Sequence, residues 1–518
     1  MKIEAVKDTI KVYAPATGEL LMEMKETPPS AAKGLMETGK AASLDWAKLS
    51  VKERIKFIKN VRLTIIERLD ELATLIANDV GKVKTDAIVA DIMPALDAIV
   101  HIEKHAEKEL SSHKVKTPFL LFGTKSRVEY MPRGVILIIS PWNYPFLLSM
   151  VPMLSALAAG NAVILKPSEV TPAVGKMIED IFMDAGFPSG VIQVAHGGKE
   201  LGSALTLQKP DYIFFTGSVK TGKIIQEIAA RDLIPTTLEL GGKDPMIILK
   251  DANLKRAAQA AAWGAFTNSG QVCMSVERVI IDQQVVESFL EELVPLVQKL
   301  SQGISIDDDI GSMAYRDQIE IVKRHINDAL DKGATLLAGS PPSEWKKDSM
   351  FIKPMILLDV TQDMLVMLEE TFGPVLPILT VHSEEEALRV ANGTEYGLNA
   401  SIWTENKEKA RRMATKLESG AVLINDVLIS VANHNLPFGG VKHSGIGRYH
   451  GENGIRMFCH EKAVMESRGI TKTEIQWYPY KEKYPHFRNL LTAYFGDSKS
   501  WNTIAKEYIK LLKLSKRS

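Results

Sequence analysis

Arg133-Gly-Val-Ile-Leu-Ile-Ile-Ser-Pro-Trp-Asn-Tyr-Pro145 decides the fold. Val135–Ile139 is apolar at every position, without the polar alternation of a half-exposed strand, so both faces of this strand are buried. The prolines at 141 and 145 end the strand and stiffen the turn behind it. Working outward, Ala162–Leu165, Val191–Val194, Tyr212–Phe215 and Met246–Leu249 are further short apolar runs. Between them, Leu147–Ala159, Pro172–Ala185 and Val219–Ala230 have the composition of helices. This succession of strand and helix implies a parallel, doubly wound α/β sheet with helices on both faces. Ligands bind such sheets at the carboxyl ends of the strands, here Ser140–Pro145, Lys166–Glu169 and Thr216–Lys223.

On the N-terminal side, Ile55, Ile58, Val61, Leu63, Ile65 and Leu69 recur at helical spacing, and no Gly or Pro interrupts Leu49–Val80, so long amphipathic helices are expected. On the C-terminal side a second α/β region runs from Leu254 to Asn425, with strands expected at Val279–Ile281, Met355–Leu358, Val375–Thr380, Ala400–Trp403 and Ala421–Ile424. The glycines at 445, 447 and 451 lack the spacing of a dinucleotide fingerprint and are expected in a tight loop. The last fifty residues form an arm punctuated by aromatics and proline, with Trp477-Tyr-Pro-Tyr480 and Tyr484-Pro485. Trp501, Ile504, Tyr508, Ile509 and Leu512 then share one face of a basic helix. That helix packs on the body or a second subunit, or else it meets a membrane surface or partner weakly.

The 518-residue chain carries 63 Lys and Arg against 63 Asp and Glu, which offers nucleic acid no general attraction. Two cysteines, Cys273 and Cys459, provide no disulfide framework, and a reducing, cytoplasmic compartment is expected. The N-terminus lacks an apolar signal region, and Val135–Ile139 is far too short to span a bilayer. No His, Cys, Asp or Glu cluster has metal-ligand spacing, so no metal is expected; His434 is expected to be a hydrogen-bonded loop residue.

Four segments carry candidate chemistry. Gly217-Ser-Val-Lys-Thr-Gly-Lys223 follows a strand and opens a helix, so its backbone N–H groups suit a phosphate. Ile224 stands where a P-loop needs Ser or Thr for Mg²⁺, which excludes that reading; a pyrophosphate site and a plain strand–helix turn stay open. Cys273, in Phe266-Thr-Asn-Ser-Gly-Gln-Val-Cys273, has polar neighbours and is either a nucleophile or a buried small hydrophobe; Cys459 is read as buried. Glu239, followed by two glycines, is either a general base in a cleft or a solvated strand end. Asn143, between two prolines, is either an oxyanion donor or part of a rigid turn.

Taken together, the segments Pro-Trp-Asn143, Leu-Lys166-Pro-Ser-Glu169, Phe-Thr-Gly217-Ser218, Leu-Glu239-Leu-Gly-Gly-Lys, Gly-Gln-Val-Cys273, Glu370-Thr-Phe372-Gly-Pro and Pro437-Phe-Gly-Gly resemble the aldehyde dehydrogenase superfamily, in its order, from Arg133 to Ser444. Asn-X-Pro-Phe-Gly-Gly-Val and the later aromatic-Tyr-Pro motif resemble its class 3, fatty-aldehyde and coniferyl-aldehyde branch. The resemblance implies a Rossmann-like NAD-binding domain over residues 1–239 with oligomerisation strands near 112–132. It implies an α/β catalytic domain over 240–430, and a small β oligomerisation element with the C-terminal arm over 431–518. It implies a homodimer or homotetramer. Cys273 would attack the aldehyde, and Asn143 with the Cys273 N–H would hold the oxyanion. Oxidation against the nicotinamide would leave a thioester, which Glu239 hydrolyses through water. Trp142, Lys166, Glu169, Gly217, Ser218, Glu370 and Phe372 would hold the cofactor. Glu169 favours NAD over NADP, with NADP accommodated through Lys166. Tyr144, Trp263 and Phe266 would line an apolar tunnel for medium or long aliphatic, aromatic or polyene aldehydes. The competing readings are a cofactor-independent cysteine esterase or acyltransferase and a catalytically silent scaffold.

Overall fold

The computed structural model describes residues 9–121, 123–451, 453–469 and 472–516. Its first compact unit holds two large sheets, both mixed but mainly parallel. The first has the strand order Gly445–Ile446, Thr236–Glu239, Tyr212–Thr216, Val135–Ile139, Ala162–Lys166, Ile192–Val194. Its strands are parallel except Gly445–Ile446, which runs antiparallel beside Glu239. Ile136, Ile138, Val163, Leu165 and Phe214 point into one core with helices Val51–Glu67, Leu147–Ala158 and Pro172–Asp184. Val135, Leu137, Ile164, Ile213 and Phe215 point into the other with helices Ala32–Trp46, Lys199–Thr206 and Val219–Arg231. That division is why the strands carry no polar alternation: each face lies under its own helices. The strand order reverses at Val135–Ile139, which opens a crevice at the carboxyl ends of this strand and its neighbour Tyr212–Thr216.

The second sheet has the order Thr335–Ala338, Met355–Leu358, Val375–Val381, Arg278–Asp282, Pro245–Ile248, Asn399–Trp403, Ala421–Ile424. Two expectations need correction here, and one strand is added. The Met246–Leu249 run is a strand, but it belongs to this second sheet, paired with Arg278–Asp282 and Asn399–Trp403. Gly241 and Gly242 let the chain pass from one sheet to the other. The glycine-rich stretch near 445 is not only a loop: Gly445–Ile446 is an edge strand, and a Cβ on Gly445 would stand 2.3 Å from the Leu238 carbonyl oxygen. Thr335–Ala338 is a further edge strand that its mixed sequence did not announce.

A second compact unit draws on Ser112–Glu129 and, within the described residues, Lys462–Ser518. It contains the three-stranded sheet ordered Cys459–Ser467, Thr124–Pro132, His113–Val115 and the helices Tyr484–Phe495 and Trp501–Lys516. The last helix corrects the predicted face. It buries Ile504, Glu507, Leu511 and Ser515, whereas Trp501 and Ile509 are about half exposed, at 55% and 51%. Among the described residues no helix is long and apolar enough to cross a membrane.

A buried ion pair anchors the turn after Ile139. A π-helical turn, Ala87–Ile92, directs Asp91 inward to Lys82 at 3.2 Å. Lys82 also donates to the Asn143 carbonyl at 2.8 Å and lies 3.9 Å over the Tyr144 ring, while Asp91 accepts the Leu147 N–H at 2.7 Å. Burial pushes the Lys82 amine down and the Asp91 carboxyl up, and their attraction opposes both shifts. Removing one partner leaves an uncompensated buried charge, so Lys82→Met should cost about 3–5 kcal/mol in urea unfolding, with Lys82→Met/Asp91→Leu recovering most of it. Unchanged stability in the single variant would show that the pair holds nothing in place.

Candidate active site

Two cavities meet in the first unit. One, of about 820 Å³ with its mouth, lies in the crevice of the first sheet between Pro141-Trp142-Asn143, Thr216-Gly217-Ser218, Glu239, Glu370 and Phe372. The other, of about 980 Å³, is walled mainly by apolar side chains, among them Val89, Met93, Tyr144, Trp263, Ile429 and Phe438. Cys273 and Glu239 line both, together with Leu148, Thr216 and Leu240.

The turn that presents Cys273 is strained and tightly held. Asn268, Ser269 and Gly270 all have positive φ, at 50°, 55° and 73°. A Cβ on Gly270 would stand 2.2 Å from the Gly373 carbonyl oxygen, so only glycine fits there. Asp86 accepts the Asn268 N–H at 3.0 Å and the Thr267 hydroxyl at 3.1 Å. The Asn143 amide donates to the Gln271 carbonyl at 3.0 Å, which binds the 143 turn to the 273 turn and leaves its second N–H for another acceptor.

Glu239 ends its strand at the carboxyl edge of the sheet, 4% exposed, and neither carboxylate oxygen has a hydrogen-bond partner among the described residues. Burial raises its carboxyl well above the ordinary value, and Arg448 opposes this. Behind it the backbone is pinched: a Cβ on Gly241 would lie 2.2 Å from the Glu370 carboxylate, and one on Gly242 would lie 2.5 Å from the Cys273 carbonyl oxygen. Glu370 accepts the Gly242 N–H at 3.1 Å, and burial, with Glu277 adding to it, pushes Glu370 up to about 8. Cys273 keeps part of its surface open to the cleft, yet burial raises its thiol far above the usual range, with Glu370, Asp244 and Glu239 adding to the effect.

Several expected site residues converge here. Trp142 meets Phe372 edge-on at 5.3 Å. Ser218 caps the helix Val219–Arg231, accepting the Thr221 N–H at 3.3 Å, and the Gly217 N–H donates to the Glu239 carbonyl at 3.0 Å. Lys166 and Glu169 stand at the end of the neighbouring strand, outside the linings of both cavities, and bond each other at 2.6 Å. Tyr144 lines the apolar cavity and Trp263 stands in its wall, 44% exposed. Phe266 does not join them; it is packed in the core at 1% exposure. It lies three residues beyond Trp263 in the same helix, Leu254–Phe266.

Residues that the sequence did not single out hold the site together. Lys243 and Glu277 form a buried pair at 2.6 Å, and Glu277 accepts the N–H groups of Thr371 and Phe372 at 3.2 and 3.0 Å. This carboxylate fixes the turn that carries Glu370 and Phe372, whose φ is 50°. Tyr315 meets Trp142 at 5.1 Å in the crevice of the first sheet. The glycines after Glu239 were the available signal for close packing; nothing in the spacing of Lys243 and Glu277 marks them as partners.

A carboxylate whose folded-state pKa lies above its unfolded one makes the folded state bind more protons, so its ionisation costs stability as pH rises from the unfolded value. Glu239→Gln should therefore melt above the wild type at neutral and alkaline pH, with the gap closing as pH falls toward 4.5. A pH-independent gap in calorimetry would refute this assignment of the cost.

The Aldehyde dehydrogenase family profile matches residues 2–464. A 4,4'-diapolycopene aldehyde oxidase from Methylomonas sp is 42% identical over 491 residues, 94% of this chain and 92% of that protein. A 4,4'-diaponeurosporen-aldehyde dehydrogenase from Staphylococcus aureus is 34% identical, over 88% and 96%. A Mycobacterium tuberculosis aldehyde dehydrogenase solved with NAD+ superposes with a TM-score of 0.85 at 31% identity, over 90% of this chain and 96% of that one. With the family profile spanning nearly all of a chain whose crevice carries the Cys, Glu and Asn expected of it, this protein belongs to the aldehyde dehydrogenase family.

Proposed function

We propose that the chain oxidises long, apolar aldehydes, polyene aldehydes among them, to carboxylic acids with NAD. The family chemistry is the NAD(P)-dependent oxidation of an aldehyde to an acid. One observation carries the finer reading: Cys273 and Glu239 stand where the crevice of the first sheet joins a cavity walled almost wholly by apolar side chains. Relatives named for diapolycopene and diaponeurosporene aldehydes point the same way.

The crevice fits the dinucleotide. It lies at the switch point of the first sheet and beside a thirteen-residue helix N-terminus. Its walls carry two carboxylates and, among the described residues, no Lys or Arg, which suits a cationic ring. Ser218 and Gly217 would face the phosphates, Lys166 and Glu169 one ribose, and Glu370 the other, with Trp142 and Phe372 beside the ring. When bound, NAD supplies the two-electron acceptor and a positive charge that favours the thiolate. Cys273 loses its thiol proton to solvent, Sγ bonds to the aldehyde carbon, and the oxyanion takes the free Asn143 N–H and the Cys273 N–H. After oxidation the acyl group rests on Sγ as a thioester. Glu239, with two unpartnered oxygens, takes a proton from water, which attacks the acyl carbon and releases the acid and the thiol. Residues 1–239 form the cofactor domain, which also supplies Asn143 and Glu239 to the chemistry, and 240–430 form the catalytic domain that carries Cys273 and lends Glu370 and Phe372 to the cofactor. The protein works in the cytoplasm as a homodimer or homotetramer, with weak membrane contact through its C-terminal helix.

NADH formation tests the chemistry. Cys273→Ala should give none. Glu239→Gln should give one stoichiometric burst and then turnover reduced by about 10²–10⁴; full turnover would remove Glu239 from the role of base. For the substrate, each methylene buried in the apolar cavity is worth about 0.8 kcal/mol, so kcat/KM should climb steeply from acetaldehyde to decanal. Comparable values would overturn the apolar reading, and a higher kcat/KM with NADP would overturn the NAD preference.

A further inference from the structure

The second compact unit holds a feature that aldehyde oxidation does not use. Phe119, Leu120, Leu490, Trp501, Tyr508 and Ile509 wall an open groove of about 750 Å³. Phe119 stacks on Tyr494 at 5.9 Å and meets Trp501 edge-on at 5.2 Å, so the groove has a preformed aromatic wall. It exists because the helix Trp501–Lys516 is apolar over a wider arc than it buries. Ile504 and Leu511 turn inward beside Glu507, which accepts from His486 and Lys510 at 2.6 and 2.8 Å. Trp501 and Ile509 stay about half exposed, with Phe119 at 47%.

The rim of the groove is basic. Lys506 and Lys513 lie one helical turn to either side of Ile509, Lys516 lies two turns on, and all three are exposed. Lys499 lies 4.9 Å over the Tyr494 ring. Residues 472–518 hold ten Lys and Arg against four Asp and Glu, within a chain that balances at 63 and 63. An apolar, aromatic groove edged by lysines matches the interface of an anionic bilayer, where rings enter the headgroup layer and lysine heads meet the phosphates. A second copy would bring the same lysine rim against itself wherever this groove lay on the twofold axis.

We propose that this groove docks the protein on an anionic lipid bilayer, with Trp501, Ile509 and Phe119 as the inserting side chains and Lys506, Lys513 and Lys516 facing the headgroups. The inference rests on the membrane contact proposed for the C-terminal helix and identifies the surface that makes it. The contact is peripheral.

Full-length protein is sedimented with phosphatidylcholine vesicles and with vesicles that include phosphatidylglycerol, at low and high salt. Light scattering reports its size, and NADH formation from propanal reports the integrity of the active site. Binding should require phosphatidylglycerol and weaken with salt. It should fall about tenfold in Trp501→Ser/Ile509→Ser and again in Lys506→Gln/Lys513→Gln, with size and propanal activity unchanged. Equal binding by wild type and variants, or no binding to either vesicle, would overturn the proposal. A smaller assembly in the serine variant would also overturn it, because a second copy would then cover the groove. Failure of the oxidation chemistry is read separately, as absence of NADH without vesicles.

Discussion

The site depends on one close approach. Gly241 and Gly242 carry the chain from the first sheet to the second through a gap bounded by the Glu370 carboxylate and the Cys273 carbonyl, where a single methyl group would collide at 2.2 and 2.5 Å. The gap brings four things into one place: Glu239 at the end of its strand, the strained turn at 268–273, the Glu370 loop, and the first strand of the second sheet. A side chain at either glycine would push Glu239 away from the Cys273 thiol before it disturbed the cores of the sheets. The architecture around the gap is conventional for a doubly wound fold; the gap turns two sheets into one reaction site.

Electrostatics follow from the same crowding. Glu239, Asp244 and Glu370 are buried near Cys273, and each carboxyl is held toward its neutral form, chiefly by loss of water. These groups also raise the thiol. Two negative charges are thus hard to sustain together here, and the cationic ring of NAD would favour the Cys273 thiolate. Lys82, Lys243 and Arg278 are no substitute: they are committed to backbone carbonyls and buried carboxylates that hold the turns in position.

Much of this was legible in the sequence, and the reasons are local. Strands buried on both faces leave unbroken apolar runs, so Val135–Ile139 and Tyr212–Thr216 announced themselves, as did the helices between them. The candidates Asn143, Ser218 and Glu239 lie at or just past strand ends, where the rule that such sheets bind ligands at their carboxyl edge directs attention. What stayed hidden depends on distance in the chain. Lys243 with Glu277, and the Lys82–Asp91 pair with Asn143, look like surface charges until the fold closes around them. Phe266 misled for a related reason: it is an aromatic next to the Cys273 turn, yet its helical phase sends it into the core. Assignment of Met246–Leu249 to the first sheet failed because periodicity reports burial and says nothing of which sheet buries a strand.

The C-terminal helix shows the same limit in a more informative form. Its apolar arc was plain in the sequence, but burial takes only one edge of that arc, through Ile504 and Leu511, and the face centred on Trp501 and Ile509 is left over. A helix that existed only to pack on its neighbour Tyr484–Phe495 would gain by burying the middle of its arc and surrounding it with polar residues. Here the packed edge contains a charged Glu507 and the open face contains tryptophan, an allocation that costs solubility unless something apolar meets that face. The lysines beside it suit water and anionic headgroups alike, so the helix can stay dissolved and still bind at a lipid surface. An enzyme whose proposed substrates dissolve in lipid rather than water has a use for a face of this kind.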